Sequence, residues 1–229
     1  MGMKKKIVLG AAVGFVVIAA VSANSGDGDK SDGKSSYASA DRKAGSDDAK
    51  SGSGGDKSEK REVAFSGDGT FEVGKDVKPG TYRTTGNTDG MCYWERAKDA
   101  SGEMDSLIAN DNVTGTSYVT VVAGDKLFKS TDCEDWEAVD EKAKGTGSPA
   151  TSAKGDGGMY RVGVDLAPGT YKSTGNTDGM CYWERAKDAQ HSLNSIRAND
   201  NVTGSGIVTI SADDAYFKTT GCKDWKKTA

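Results

Sequence analysis

The chain has 229 residues, of which 35% are hydrophobic and 31 are glycine, and this composition argues against one large buried core. The formal net charge is -4 and the pI is near 5.2, which argues against nucleic acid as the main partner. One histidine and four cysteines offer little for catalysis or metal binding. We therefore expect no enzyme activity, no cofactor and no metal site.

The first 23 residues have the pattern of an export segment. Lysines at positions 4–6 precede an apolar run from Ile7 to Val21, which is typical of a secretory signal peptide or a signal anchor. Residues 7–23 are at the lower length limit for spanning a bilayer. Two interpretations stay open: residues 1–23 are cleaved after Ala23, or they remain and provide the only membrane contact. In both cases the rest is predicted to lie on the extracellular side of the cell envelope, membrane-anchored or secreted.

Two segments have the composition of linkers. Residues 24–66 consist mainly of Ser, Gly, Asp and Lys, and such a segment cannot bury enough apolar surface to repay its ordering entropy. It is predicted to be a disordered linker. A second linker is predicted over residues 140–155.

Two copies of one module make up the rest of the chain. Phe71–Trp136 aligns with Tyr160–Trp225 at a constant offset of 89, and 41 of the 66 aligned positions are identical. The boundaries are predicted as residues 67–139 for module 1 and residues 156–229 for module 2. Each unit looks complete, so we expect two separate units joined by a linker rather than a solenoid.

The four cysteines repeat with the modules. Cys92 and Cys133 are 41 residues apart, and so are Cys181 and Cys222. Four cysteines allow three pairings, and the repeated spacing favours one disulfide in each module. An exported domain of this size gains from such a bond because its core is small.

Within module 1 the pattern predicts short strands separated by turns. In chain order, we expect a strand and turn over residues 71–80, a strand over 81–85, a turn over 87–90, strands over 92–96 and 107–109, and a closing hairpin of 117–122 with 127–129. Asn110-Asp111-Asn112 is interpreted as a turn in preference to a calcium site. The single histidine, His191, is interpreted as a loop residue. The predicted fold class is all-β, with two tandem disulfide-bonded modules of sandwich or barrel type after an N-terminal apolar helix.

The segment Cys92–Arg96 supplies the candidate binding residues. On a strand, Cys92, Trp94 and Arg96 share one face, and Tyr93 and Glu95 share the other. Trp94 is expected to pack against the disulfide, with Trp136 in the same cluster. An aromatic ring beside charged groups suits contacts with sugars or proteins, although the same residues could simply complete the fold. The candidate binding residues are Tyr93, Glu95 and Arg96 with their counterparts Tyr182, Glu184 and Arg185.

The module sequence resembles a repeat found in exported and lipid-anchored proteins of actinomycetes. The resemblance is carried by Val73-Gly74, Asp76, Pro79-Gly80-Thr81-Tyr82, Cys92-Tyr93-Trp94-Glu95-Arg96, Phe128, Cys133 and Trp136, with their counterparts 89 positions later. It implies a secreted all-β module and no particular activity. Many of these proteins carry a lipid-attachment cysteine, whereas no cysteine precedes Cys92 in this chain.

The expected function is that of a non-enzymatic surface or secreted protein whose modules contact a cell-wall polymer or an extracellular protein. One alternative is an inhibitor of an extracellular hydrolase, with loops 101–105 and 190–194 as the inhibitory segments. Another is an envelope exclusion or immunity protein. Those two loops differ between the copies, and module 1 is more acidic than module 2, so we also hypothesise that the copies present different surfaces.

Overall fold

A computed structural model of the protein describes residues 62–228. The predictions for residues 1–23, and for residues 24–61 of the first linker, lie outside this range. Between residues 62 and 228, no helix is long and apolar enough to cross a membrane.

A 3-10 turn over Leu193–Ser195 accompanies twelve strands, six in each module. The strands of module 1 are β1 (Val63–Phe65), β2 (Gly69–Glu72), β3 (Gly80–Ala97), β4 (Leu107–Val121), β5 (Leu127–Thr131) and β6 (Trp136–Ala138). Those of module 2 are β7 (Ser152–Ala153), β8 (Gly158–Arg161), β9 (Gly169–Ala186), β10 (Ile196–Ile210), β11 (Tyr216–Thr220) and β12 (Trp225–Lys227).

The two modules share one strand arrangement, and the all-β prediction is confirmed. In module 1, the long strand β3 pairs with β4 along one side, and with β6 and then β5 along the other. Strand β2 adds to β5, and β1 adds to β6. Module 2 repeats these antiparallel pairings with β9 in the central position. The central strand of each module therefore positions all of its candidate binding residues.

The predicted turns at residues 87–90 and 110–112 are wrong. Both segments lie inside the long β3–β4 hairpin, where the register moves from Asn87 opposite Gly115 to Cys92 opposite Val113. Thr88–Met91 is thus a bulge in β3 rather than a chain reversal. The expected hairpin of 117–122 with 127–129 is also wrong, because β4 and β5 lie on opposite sides of β3.

Each module encloses an aromatic core next to its disulfide. Cys92, Trp94 and Trp136 are completely buried in one cluster with Phe128, as the alternation of residues 92–96 predicts. Trp225 and Cys181 lie in the equivalent cluster of module 2. The predicted pairing is confirmed: the bonds are Cys92–Cys133 and Cys181–Cys222.

Both predicted linkers contain residues that belong to a module. Strand β1 lies within the first linker range, and Phe65 is buried 4.9 Å from Phe71 and 4.9 Å from Tyr82, measured between ring centroids. Strand β7 lies within the second linker range and pairs with β12. One buried apolar residue, Phe65 in the first segment and Ala153 in the second, holds each strand in place because its side chain joins the core.

The two modules are in direct contact, in contrast to the expected separate units. Strand β4 meets β8 at Thr116 and Gly158, where the Thr116 N–H donates to the Gly157 carbonyl at 3.0 Å. The backbones approach so closely that a Cβ on Gly158 would lie 2.1 Å from the Thr116 carbonyl oxygen. Gly158 also has φ of +78°, a conformation that favours glycine. The repeat therefore forms one packed pair.

Candidate functional site

Tyr93 and Glu95 form a fixed polar pair on the outer side of β3. The Tyr93 hydroxyl donates to Glu95 Oε2 at 2.6 Å, and Asn110 Nδ2 donates to the Tyr93 oxygen at 3.4 Å. Burial, and then the Glu95 carboxylate, raise the pKa of Tyr93 to about 12. The phenol is therefore neutral at physiological pH and holds one orientation.

Four neighbours extend this pair into a surface that we call the polar face. Tyr93 lies opposite Asn112 on β4 and Thr131 on β5. Glu95 lies opposite Asn110 and Lys129 on the same two strands, and directly opposed residues share a face. The polar face of module 1 therefore consists of Tyr93, Glu95, Asn110, Asn112, Lys129 and Thr131. All six residues are identical in module 2, where they are Tyr182, Glu184, Asn199, Asn201, Lys218 and Thr220.

The polar face of module 2 is partly covered by module 1. Tyr182 donates to Glu184 at 2.6 Å, as in the first copy. Lys218, however, bonds to Asp111 of module 1 at 2.6 Å between Nζ and Oδ2. Burial opposes the charged form of Lys218, but Asp111 and Glu184 outweigh it, and the pKa of Lys218 is raised. Glu184 is buried whereas Glu95 is half-buried, so module 1 presents the more open copy.

Arg96 does not belong to the surface, which corrects its prediction as a binding residue. Its side chain is 2% exposed and bonds Asp125 twice, from Nε at 2.7 Å and from Nη2 at 2.9 Å. Its Nη1 donates to the Gln190 carbonyl of module 2 at 2.8 Å. Arg185 likewise bonds Asp214, but its side chain is 23% exposed. Both arginines lie on the core-facing side of the central strand, where a buried carboxylate compensates their charge.

A group of residues that the sequence interpretation missed forms the contact between the modules. The His191 ring packs edge-on against Trp94, with 4.7 Å between the centroids, and its Nε2 lies 2.7 Å from the Tyr118 carbonyl oxygen. The Tyr118 hydroxyl donates to Asp165 of module 2 at 2.7 Å. Tyr118 also belongs to a buried cluster that joins the modules, with Met159, Ala186, Ala189 and Tyr216.

The repeat alignment contains a signal for this contact. Met159, His191 and Tyr216 occupy the positions of Thr70, Gly102 and Leu127 in module 1. In each of these pairs the larger or more apolar residue belongs to module 2, where module 1 covers it. Thr70 and Gly102 of module 1 are exposed. Docking therefore accounts for part of the divergence that suggested different surfaces. Of the two loops considered as inhibitory segments, 190–194 takes part in docking through Gln190 and His191, and 101–105 is exposed.

The docking contact is expected to weaken in mild acid. Burial lowers the pKa of His191 and the charge of Lys218 lowers it further, while Asp111 and Glu184 oppose the shift. Because the folded pKa lies below the unfolded value, stability is fully present above about pH 6.5 and decreases below it. We expect a decrease approaching 1.4 kcal/mol per pH unit in the free energy of unfolding, measured by urea denaturation between pH 7.5 and 5.5.

His191→Gln is the control, since the chain contains one histidine. The variant should be nearly independent of pH over this interval. An unchanged pH dependence in the variant would show that His191 is not responsible.

The strands and the two disulfides define an all-β protein of two tandem disulfide-bonded modules. A family model for the Rv1352-like extracellular domain matches residues 63–137 and again residues 151–226. The chain therefore belongs to this actinomycete-type family of extracellular domains. Searches of curated proteins and of solved structures found no match.

Proposed function

We propose that the protein is a non-enzymatic extracellular binding protein, and that the open polar face of module 1 contacts a polyhydroxylated cell-wall polymer. The observation that carries this proposal is the identity of all six polar-face residues in the two modules. In module 1, Asn110, Asn112, Lys129 and Thr131 are exposed, so burial does not account for their retention. Neighbouring exposed positions differ, as at Ile108 and Arg197.

The chemistry of the face supports a sugar ligand. The Tyr93 ring offers an apolar surface, while two amides, a carboxylate and an ammonium group offer donors and acceptors in fixed positions. The hydrogen bonds from Asn110 to Tyr93 and from Tyr93 to Glu95 orient these groups before a ligand arrives. Such preorganisation reduces the entropy lost on binding.

Tyr93→Ala is expected to lower the affinity for isolated cell-wall sacculi at least about tenfold, the usual effect of truncating a central aromatic residue. The measurement is the fraction of purified oxidised protein that co-sediments with sacculi from the producing strain, as a function of sacculus concentration. Free wall fragments should compete with saturable binding.

Tyr182→Ala is the matched control because it removes the same side chain from the partly covered copy, and its effect should be less than about threefold. Thermal unfolding of both variants checks that the fold is intact. Equal binding by wild type and Tyr93→Ala would exclude the polar face as the site. If the wild type does not bind sacculi at all, the wall polymer is excluded and an extracellular protein becomes the ligand to test.

A further inference from the structure

The contact between the modules uses two different surfaces. Module 1 contributes the outer edge of β4, with Asp111, Thr116, Tyr118 and Thr120, which we call the receiving edge. Module 2 contributes Gly157, Ala189, Gln190, His191 and Lys218, which we call the inserting surface. An interface of two unlike surfaces is heterologous, and repeating it between molecules produces rings or open chains.

The edge of β10 in module 2 is equivalent to the receiving edge and is open. Among the strands of residues 62–228, β10 pairs only with β9, so its other edge has no strand partner. Ile207 occupies the position of Tyr118, and its exposed fraction is 65%, against 2% for Tyr118. Ser205 and Thr209, the counterparts of Thr116 and Thr120, are exposed as well. A long edge strand with an exposed apolar side chain is a template for association.

Most polar contacts between the two modules depend on groups that are also present on the open edge of β10 and on the equivalent of the inserting surface in module 1. The Thr120 N–H donates to the Ala189 carbonyl at 2.8 Å. This bond uses backbone groups only, so Thr209 and Ala100 at the equivalent positions supply the same donor and acceptor. The Gln190 carbonyl that accepts from Arg96 corresponds to the Ser101 carbonyl, and Arg185 corresponds to Arg96.

The charged pair across the interface is retained in full. Lys218 and Asp111 correspond to Lys129 and Asp200, and both of these are exposed. The inserting surface of module 1 consists of the counterparts Asp68, Ala100, Ser101, Gly102 and Lys129, and it offers apolar contact area at Ala100 and at the neighbouring Leu127.

Several substitutions make the second interface weaker than the first, among them Asp68 in the place of Gly157. Gly102 replaces His191, so the ring against the tryptophan is lost. Ile207 cannot donate to a carboxylate as Tyr118 does. Thr70 replaces Met159 and reduces the apolar cluster. The internal contact also benefits from the short connection between the modules, which raises the effective concentration of one for the other.

We propose that the open edge of β10 binds the inserting surface of module 1 in a second copy of this chain, so that the protein associates head to tail. Ile207 packs against Ala100 and Leu127 of the second copy, and Asp200 pairs with its Lys129. The association is weak and reversible. It does not rest on the proposed wall-binding function, although both use Lys129 of the polar face of module 1.

The test measures weight-average mass by sedimentation from about 10 µM to about 1 mM, the range in which weak interfaces associate. The wild type should increase in mass with concentration. Asp200→Lys and Lys129→Asp should each weaken the association at least about tenfold, since like charges then face each other. An equimolar mixture of the two variants should restore it to within about threefold, because each altered charge then meets its opposite.

Ile207→Asp should also weaken association at least about tenfold, since it places a charge in the contact. Leu193→Asp is the matched control: Leu193 is 90% exposed and lies in neither surface. A protein that stays monomeric throughout, a mixture that fails to associate, or equal effects of the Ile207 and Leu193 variants would each overturn the proposal. If the protein is strictly monomeric but binds the wall, the association is excluded and the proposed wall-binding function is retained.

Discussion

Asp125→Asn is expected to lower the free energy of unfolding of module 1 by about 3–5 kcal/mol, the cost of leaving a buried charge without its partner. Asp125 is 1% exposed at its side chain and holds both Nε and Nη2 of Arg96. It also accepts from the Val122 N–H at 2.9 Å. The substitution removes the negative charge while nearly preserving the volume, so the effect reports on the ion pair rather than on a cavity.

Asp214→Asn makes the same substitution in module 2, where Asp214 also pairs with Arg197 at 3.7 Å. The expected loss is only about 1–2 kcal/mol because water can reach both arginines and compensate their charges. The side chain of Arg185 is 23% exposed, against 2% for Arg96. Hydrogen exchange read separately for each module measures both losses. Because Arg96 also contacts the Gln190 carbonyl, the Asp125 variant should increase exchange at the docking contact. Equal losses in the two modules would contradict this explanation.

Replacing both cysteines of one module with alanine is expected to cost about 4 kcal/mol, the chain-entropy value for a closed loop of this length. The Cys92–Cys133 and Cys181–Cys222 bonds have the same sequence separation of 41 residues. The loss should therefore be nearly equal for the two double variants, in contrast to the unequal aspartate variants. Urea denaturation of each double variant, with the other disulfide intact, gives the comparison. A loss below about 1 kcal/mol in either module would mean that the unfolded state of the alanine variant retains structure within the loop.

The sequence was sufficient for properties that depend on local spacing. The repeated separation of the cysteines gave the pairing, and alternation along residues 92–96 placed Trp94 in the core and Tyr93 outside. Alternation also placed Arg96 with the core side, but its burial depends on Asp125, which is 29 residues away and whose position follows from the strand order. A basic residue without a known partner is normally expected at the surface.

The turn predictions failed because glycine and aspartate serve bulges as well as chain reversals. Gly86, Gly90 and Gly115 all have positive φ, and they allow β3 and β4 to change register without ending. The docking of the modules was missed for another reason: it joins unlike surfaces, so no repeated motif identifies it. Only differences between the copies do so, such as Met159 against Thr70.

The position of Tyr93 on β3 also determines how the protein would carry mechanical force. If a ligand holds module 1 at Tyr93 while the chain is pulled at residue 62, the load passes along the chain between these two points and does not cross the Cys92–Cys133 bond. The two points of load are then separated only by residues 62–92. The first noncovalent element in that path is β1, which has two paired positions with β6. Module 2 lies outside the path, so tension on the first module would leave its fold unloaded.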